Sequence, residues 1–374
     1  MSFDLARALR PEVQALTAYH AGTAPAGRPV KLDANESPFL LGEAIRGVLA
    51  AALASVELHR YPDPEARELK ALLARELGVP AEQILATNGS DEGIQLLLLA
   101  AMGPVLAPVP TFVMYELGAR ALGRGFTGVP LTAEFRFELS AFLAELERMR
   151  PTLVFLAWPN NPTGGLIEEA AVEAILQACA GGVCHALVVV DEAYTQYSGR
   201  TVLPWLGRYP NLVILRTLSK IGLAGIRLGM LVAEPSLVVE INKIRPPYNV
   251  NALSQAAARV VLGHGEVVAR HAATIVAERE RVLAALADLP GATAFPSQAN
   301  FFLVRTALPG DRVFQGLVER GILVRNFSRA PYLADCLRVT IGTPEENDAF
   351  LAALRAVLGG GEVNPAIRVV FDRA

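Results

Sequence analysis

The chain has 374 residues, a length that favours about two domains over one. Hydrophobic residues make up 52% of the chain and charged residues 19%, a composition that supports a large core and argues against intrinsic disorder. The net charge of −3 gives no electrostatic reason to expect nucleic acid or an anionic membrane as a partner.

The first two thirds of the chain predict a sheet whose strands alternate with helices. Residues 1–34 are expected to form an N-terminal arm that joins the smaller domain or a subunit contact. Apolar strands are predicted at QILATN (83–88), PTLVFLA (151–157), ALVVVD (186–191) and NLVILRT (211–217), and helices at GIQLLLLAAM (93–102) and EEAAVEAILQACA (168–180). Strands of this kind, separated by helices, indicate a mostly parallel sheet covered on both faces. We therefore predict an α/β fold with a large domain at 35–250.

The pattern changes from about residue 251. A long helical stretch, roughly 251–286, leads into the strand FFLV (301–304), a further helix, the strand LRVTIG (337–342) and the helical string EENDAFLAALRAVL (345–358). This order predicts a smaller α+β domain at 251–374. The tail, 359–374, carries no pattern that assigns it a structure.

Neither the N-terminus nor the uncharged run at 93–115 indicates a membrane protein. The opening MSFDLARALRPEVQ lacks the apolar stretch of a signal peptide, and the uncharged run contains Pro104, Pro108 and Pro110. We interpret this run as a buried helix, a turn and a strand. The three cysteines are odd in number and show no metal-ligand spacing, which is typical of reduced thiols in a cytoplasmic protein.

Polar motifs follow the predicted strands, at the edge of a parallel sheet where ligands bind. NGSDEG (88–93) places small residues at a strand-to-helix junction, which suits a phosphate or, equally, an ordinary helix cap. In RTLSKIGLAGIRLG (216–229), Lys220 stands among Thr217, Ser219 and Arg227. A lone lysine at a turn is usually just solvated, but these neighbours favour a phosphate held from three directions beside a reactive amine.

Two further strand ends carry candidate polar groups. Asp191 ends the strand VVVD, where a carboxylate is costly without a cationic partner such as a protonated pyridine nitrogen, unless it caps the next segment. Tyr194 is near enough in sequence to reach the same site, although it could serve packing alone. Asn161 lies in the turn PNNPTGG (159–165) and either donates to a phenolate oxygen or belongs to a simple turn.

The order and spacing of these motifs resemble those of fold type I pyridoxal-phosphate-dependent aminotransferases, over about residues 10–355. Further strings resemble the histidinol-phosphate aminotransferase family: LTAY (16–19), KLDANESPF (31–39), RYPDP (60–64), PTFVMY (110–115), QANFFLV (298–304), GILVRN (321–326) and GTPEEN (342–347). One interval departs from the family, because six residues separate Lys220 from Arg227 where seven are usual.

The resemblance implies roles for individual residues. Lys220 is expected to be the Schiff-base lysine and the base for the 1,3-proton transfer, and Asp191 to pair with the pyridine nitrogen. The remaining implied roles are Tyr194 and Asn161 at the 3′-oxygen, Phe112 stacked on the ring, Ser90, Asp91, Thr217, Ser219 and Arg227 around the phosphate, Tyr61 reaching that phosphate from the other subunit of a homodimer, Arg338 and Arg325 on the substrate's anionic groups, and Tyr19 and Asn35 near the substrate.

The reaction implied by the resemblance is amino transfer between histidinol phosphate and 2-oxoglutarate in histidine biosynthesis. An aromatic amino-acid aminotransferase shares nearly every motif, and a threonine-phosphate decarboxylase would use the same lysine. A pyridoxal-phosphate-dependent regulator is disfavoured, because only a short arm precedes Lys31 where such proteins carry a basic DNA-binding module.

Overall fold

The structure is a computed structural model that describes residues 3–17 and 29–360. The strands are β1 Val30–Leu32, β2 Ile84–Thr87, β3 Val105–Val109, β4 Phe126–Pro130, β5 Leu153–Ala157, β6 Leu187–Asp191, β7 Leu212–Thr217, β8 Gly229–Ala233, β9 Ala292–Ala294, β10 Phe301–Thr306, β11 Ile322–Asn326 and β12 Cys336–Thr340. The helices are α1 Pro11–Gln14, α2 Glu43–Ala54, α3 Arg67–Leu77, α4 Gly89–Ala100, α5 Met114–Ala121, α6 Leu139–Met149, α7 Glu169–Cys179, α8 Thr195–Ser198, α9 Pro235–Asn242, α10 Ala252–Leu262, α11 Gly265–Ala287, α12 Gly310–Glu319 and α13 Pro344–Leu358.

Seven strands form the larger sheet, in the order β2-β8-β7-β6-β5-β3-β4. Strands β4, β3, β5, β6 and β7 run parallel, and β8 is antiparallel to both of its neighbours. The prediction of a mostly parallel central sheet is therefore confirmed. Alternate side chains of β5 enter two different cores, with Val154 and Leu156 on one face and Leu153 and Phe155 on the other. Both faces are buried, which explains why these strands are apolar throughout.

A second sheet of five strands has the order β1-β11-β12-β10-β9. Its first strand comes from the N-terminal part of the chain, and Lys31 pairs in parallel register with Leu323 of β11. Helices α11, α12 and α13 share a core with this sheet that is built around Phe301, Phe302 and Phe350. The N-terminal segment thus places residues 31–36 beside the strands that carry Arg325 and Arg338.

The helical stretch expected at about 251–286 consists of two helices, α10 and α11, which are separated at Gly263 and His264. Asn251 caps α10, since its side chain accepts a hydrogen bond from the backbone N–H of Ser254 at 2.8 Å. Apolar residues continue at helical spacing across the break, so periodicity alone could not reveal it.

None of the helices in residues 3–17 and 29–360 combines the length and the apolar character that crossing a membrane requires.

Candidate active site

A cavity of about 400 Å³ lies at the carboxyl ends of the parallel strands, where the larger sheet meets residues 33–36 and the five-stranded sheet. Its size is in the range of small-molecule binding sites. Thirteen of the residues predicted from the sequence line it: Asn35, Ser90, Asp91, Phe112, Asn161, Asp191, Tyr194, Thr217, Ser219, Lys220, Arg227, Arg325 and Arg338. Tyr19 lies outside the described residues, and Tyr61 lies outside the cavity of its own chain.

Lys220 follows β7 in a short turn whose backbone is fixed from outside. The hydroxyl of Tyr197 donates a hydrogen bond to the carbonyl oxygen of Lys220. The amine Nζ lies 3.5 Å from the carbonyl oxygen of Ala34 and 6.0 Å from the centre of the Tyr194 ring. Burial, together with the positive charge of Arg338, lowers the pKa of Lys220 from 10.5 to about 8. The amine is therefore much closer to neutrality at physiological pH than an ordinary lysine.

Asp191 ends β6 as a buried carboxylate. Tyr115 of α5 donates a hydrogen bond to its Oδ2 at 2.7 Å, and the backbone N–H of Ala193 donates to Oδ1 at 3.1 Å. Burial raises the pKa of Asp191 from 3.8 to about 6 in spite of these two donors. The hydrogen bond from Ala193 is a local cap of the turn that follows β6, and the same carboxylate also lines the cavity. A cationic partner in the cavity would favour its ionised form.

Asn161 and Tyr194 join the larger sheet to the second sheet. Arg338 donates from Nη1 to Oδ1 of Asn161 at 2.6 Å, and Asn35 donates from Nδ2 to the hydroxyl oxygen of Tyr194 at 2.9 Å. Because a guanidinium can only donate, this contact fixes which end of the Asn161 amide is oxygen. The NH₂ group of Asn161 is then the end that can donate to a ligand oxygen.

The end of the cavity away from Arg338 lies beside the N-terminus of α4 and brings together four polar residues, Arg227, Ser219, Thr217 and Asp91. Arg227 contacts Ser219 Oγ at 3.4 Å and Asp91 Oδ2 at 3.2 Å, and Thr217 donates to Ser219 at 2.9 Å. The interval of six residues after Lys220 therefore still brings Arg227 to this cluster. A helix N-terminus, two hydroxyls and a guanidinium are together suited to an anion such as phosphate.

Two glycines allow β8 and the start of α4 to approach each other under this cluster. A Cβ on Gly229 would lie 2.5 Å from the backbone carbon of Gly89 and 2.5 Å from the backbone nitrogen of Ser90. Gly89 itself has a φ of +74°, and a Cβ there would lie 2.8 Å from Arg227 Nη2. Only glycine leaves room for the guanidinium and the helix N-terminus at this place.

Arg325 and Arg338 form the cationic wall of the cavity. They are directly paired across the antiparallel strands β11 and β12, so both side chains lie on the same face of the sheet. Arg338 is 8% exposed, donates from Nη2 to the carbonyl oxygen of Asp33 at 2.7 Å, and lies 5.4 Å from the ring centre of Phe301. A second, adjacent arginine makes this wall suited to a dianion.

Tyr61 is 80% exposed and stacks on Tyr248, with 4.4 Å between the ring centres. Large apolar side chains nearby in sequence are also exposed, among them Leu40, Val48 and Leu58. Exposed apolar residues of this density are typical of a surface that another chain covers.

Tyr115 was not among the residues predicted for the site, although it is fully buried and contacts Asp191. Burial and the nearby carboxylate raise the pKa of its phenol well above the usual value, so the phenol stays a hydrogen-bond donor. The signal available in the sequence was the cost of burying Asp191, which requires donors from other segments. The lining residues Lys31, Asp33 and Glu36 were missed for a similar reason, because they lie in or directly after β1, which pairs with the distant strand β11.

The comparisons with known proteins agree with one another. The profile of the family "Aminotransferase class I and II" matches residues 28–354. The chain is 47% identical over 359 residues to histidinol-phosphate aminotransferase 1 of Ralstonia nicotianae, covering 95% of both chains, and 46% identical over 357 residues to histidinol-phosphate aminotransferase 2 of Cupriavidus pinatubonensis, covering 94% of this chain and 97% of that one. The fold is similar to that of histidinol-phosphate aminotransferase from Sinorhizobium meliloti in complex with pyridoxal-5′-phosphate, with a TM-score of 0.81, 26% identity, and coverage of 93% and 97% of the two chains.

Proposed function

We propose that this chain, which belongs to the aminotransferase class I and II family, transfers an amino group between histidinol phosphate and 2-oxoglutarate. Relatives about 46% identical over nearly the whole chain carry that name. The observation that carries the substrate assignment is the arginine pair on the cavity wall, because Arg325 and Arg338 suit a phosphate dianion and also the carboxylate of the second substrate.

The cavity fits pyridoxal 5′-phosphate as the cofactor. The N-terminus of α4, which Gly89 and Gly229 allow to lie close to β8, and the donors around Arg227 would hold its phosphate. Asp191 would hold a proton on its ring nitrogen, and Asn161 and Tyr194 would contact its phenolic oxygen. Phe112 lies on the cavity wall as the candidate for ring stacking. When bound, the cofactor supplies an electron-withdrawing ring that stabilises negative charge on the carbon that bears the amine.

Lys220 would carry the cofactor and move the proton. Its amine lies inside the cavity. Because its lowered pKa of about 8 is close to physiological pH, both the ammonium and the neutral amine are accessible there. The hydrogen bond from Tyr197 to the Lys220 backbone keeps the base of the side chain in place while the amine moves.

A substrate panel tests this function. Purified enzyme loaded with cofactor is assayed with histidinol phosphate, phenylalanine, tyrosine and threonine phosphate as donors, and with 2-oxoglutarate as acceptor. We expect the highest kcat/KM for histidinol phosphate and no carbon dioxide release from threonine phosphate. A preference for phenylalanine or tyrosine would instead identify an aromatic aminotransferase.

A chemical label tests the cofactor site separately. Borohydride reduction of the loaded enzyme, followed by peptide mapping, should place the cofactor on Lys220. A label on any other lysine would overturn the role proposed for this residue.

The active unit is proposed to be a homodimer. Tyr61 lies outside its own cavity and on an exposed apolar surface, as expected of a residue that completes the partner's site. We also place the enzyme in the cytoplasm, because the three cysteines are free, as is usual in a reducing compartment.

A further inference from the structure

Glu36 lines the cavity and has not been assigned a role above. Its side chain is 47% exposed, and its Oε2 accepts a hydrogen bond from Lys31 at 2.5 Å. Within residues 3–17 and 29–360 this is the only side-chain hydrogen bond of Glu36, so Oε1 remains able to accept another. The negative charge of Glu36 is near enough to the centre of the site to favour the ammonium form of Lys220, against the larger opposing effects of burial and Arg338.

The other carboxylates of the cavity already have partners. Asp91 pairs with Arg227 at 3.2 Å, and Asp191 accepts from Tyr115 and from the backbone of Ala193. Asp33 Oδ1 forms an ion pair with Lys31 Nζ at 3.1 Å without a well-formed hydrogen bond, and because its side chain is only 7% exposed it is poorly accessible to a substrate. Glu36 therefore is the carboxylate of the described cavity that is best able to receive a new donor from a substrate.

We infer that Glu36 accepts a hydrogen bond from the imidazole N–H of the substrate, an inference that rests on the function proposed above. In histidinol phosphate, the phosphate and the imidazole extend in different directions from the carbon that carries the amine. If Arg325 and Arg338 hold the phosphate and the amine is near Lys220, the imidazole must contact another part of the lining. An imidazole offers one N–H when neutral and two when protonated, whereas a phenyl ring offers none.

The same carboxylate has the opposite effect on the second substrate. Glutamate and 2-oxoglutarate carry two carboxylates, and a negative charge on the cavity wall repels whichever of them the arginines do not hold. Glu36 thus favours the imidazole substrate and disfavours the dicarboxylate. Opposite effects on two substrates of one site distinguish a direct contact from a general loss of structure.

The test is the variant Glu36→Gln, which keeps the shape and removes the charge. For the holoenzyme, kcat/KM for histidinol phosphate should fall about 10-fold, mainly through KM, since a hydrogen bond to a carboxylate is replaced at this half-exposed position by a weaker one to a neutral amide oxygen. The value for phenylalanine should stay unchanged, and KM for 2-oxoglutarate should stay the same or decrease. The loss should be largest below about pH 6.5, where the imidazole is protonated.

Two further variants serve as comparisons. Glu43→Gln makes the same chemical change at an exposed residue at the start of α2 and should alter none of these constants. Lys31→Gln removes the ion pair but keeps the carboxylate of Glu36, so it should not lower kcat/KM for histidinol phosphate relative to kcat/KM for phenylalanine.

An equal loss for all three substrates, no loss for histidinol phosphate, or the same profile in Lys31→Gln as in Glu36→Gln would each overturn the inference. If wild-type enzyme prefers phenylalanine to histidinol phosphate, the proposed function itself fails, and this inference fails with it.

Discussion

The charge of Asp191 depends on what shares the cavity with it. Its pKa of about 6 lies above the ordinary 3.8, so the folded protein holds a proton there at a pH where the unfolded chain has already lost it. In cofactor-free protein, this single group should therefore lower the free energy of unfolding as pH rises from about 4 to about 6. The total effect is roughly 3 kcal/mol at 1.36 kcal/mol per pKa unit.

The measurement is the difference in unfolding free energy between wild type and Asp191→Asn, taken at several pH values without cofactor. This difference should change between about pH 4 and 6 and be constant above that range. Turnover of the loaded variant should fall by several orders of magnitude, because an amide cannot hold a proton on the ring nitrogen. A variant with a near-normal rate would show that Asp191 is only a structural cap.

Arg325 separates the proposed substrate from the aromatic amino acids. Arg325→Ala should weaken kcat/KM for histidinol phosphate far more than that for phenylalanine, which has no dianion. Loss of a cationic partner of a bound anion costs about 2 kcal/mol or more, which corresponds to roughly 30-fold. Arg329→Ala removes an arginine whose side chain is 84% exposed and paired with Asp311, and it should affect neither substrate. Equal effects of Arg325→Ala on both substrates would count against the histidinol phosphate assignment.

Single residues could be predicted from the sequence where one local pattern carried the information. Asp191 and Lys220 each stand at the end of an apolar strand, and the edge of a parallel sheet is where ligands bind. Tyr115 could not be found in this way, because its contact with Asp191 joins positions 76 residues apart and depends on how α5 packs on the larger sheet. Arg325 and Arg338 were expected only from the family resemblance, and their shared face follows from a strand register that the sequence does not reveal.

At the scale of elements, the close approach of β8 to α4 shapes the end of the cavity that is proposed to bind the cofactor phosphate. Gly229→Ala would place a Cβ 2.5 Å from the backbone of Gly89 and Ser90, so the start of α4 must move. We expect weaker cofactor binding, and a loss of about 1–3 kcal/mol in unfolding free energy, which is typical of overpacking. Gly207→Ala is the matched control, because a Cβ at Gly207 meets nothing within 4 Å. Cofactor titration and denaturant unfolding measure both effects, and wild-type cofactor affinity in Gly229→Ala would contradict this account.

Elements of the larger sheet were easier to predict than those of the second sheet. Strands β5, β6 and β7 are buried on both faces, so each is a continuous apolar run in the sequence. In contrast, β1 is three residues long and pairs with β11, nearly three hundred residues later in the chain. No local pattern of so short a strand specifies its partner. The division of the chain at residue 250 stays a prediction.

At the scale of the whole molecule, the site combines groups from both sheets. The second sheet contributes the arginines, and the larger sheet contributes Lys220 and Asp191. Direct hydrogen bonds join the two parts, from Arg338 to Asn161 and from Asn35 to Tyr194. An anion held by the arginines is therefore positioned relative to Lys220 by contacts that already exist within one subunit. Tyr61, which was predicted for the site, does not line the cavity of its own subunit.

Mixing two inactive or impaired variants tests whether Tyr61 serves the partner's site. Lys220→Ala has no amine but still offers Tyr61, whereas Tyr61→Ala keeps Lys220 and offers nothing to its neighbour. In a hybrid dimer, the Tyr61→Ala subunit receives an intact tyrosine from the Lys220→Ala subunit, so one site of that dimer is complete. After dissociation and random reassociation of equal amounts, about one site in four should be complete, and activity should rise above that of either variant alone. Wild-type enzyme taken through the same dissociation and reassociation controls for refolding losses. If Tyr61 acted within its own subunit, or if the active enzyme sedimented as a monomer, mixing would restore nothing, and the shared site would have to be abandoned while the assignment of Lys220 and Asp191 would stand.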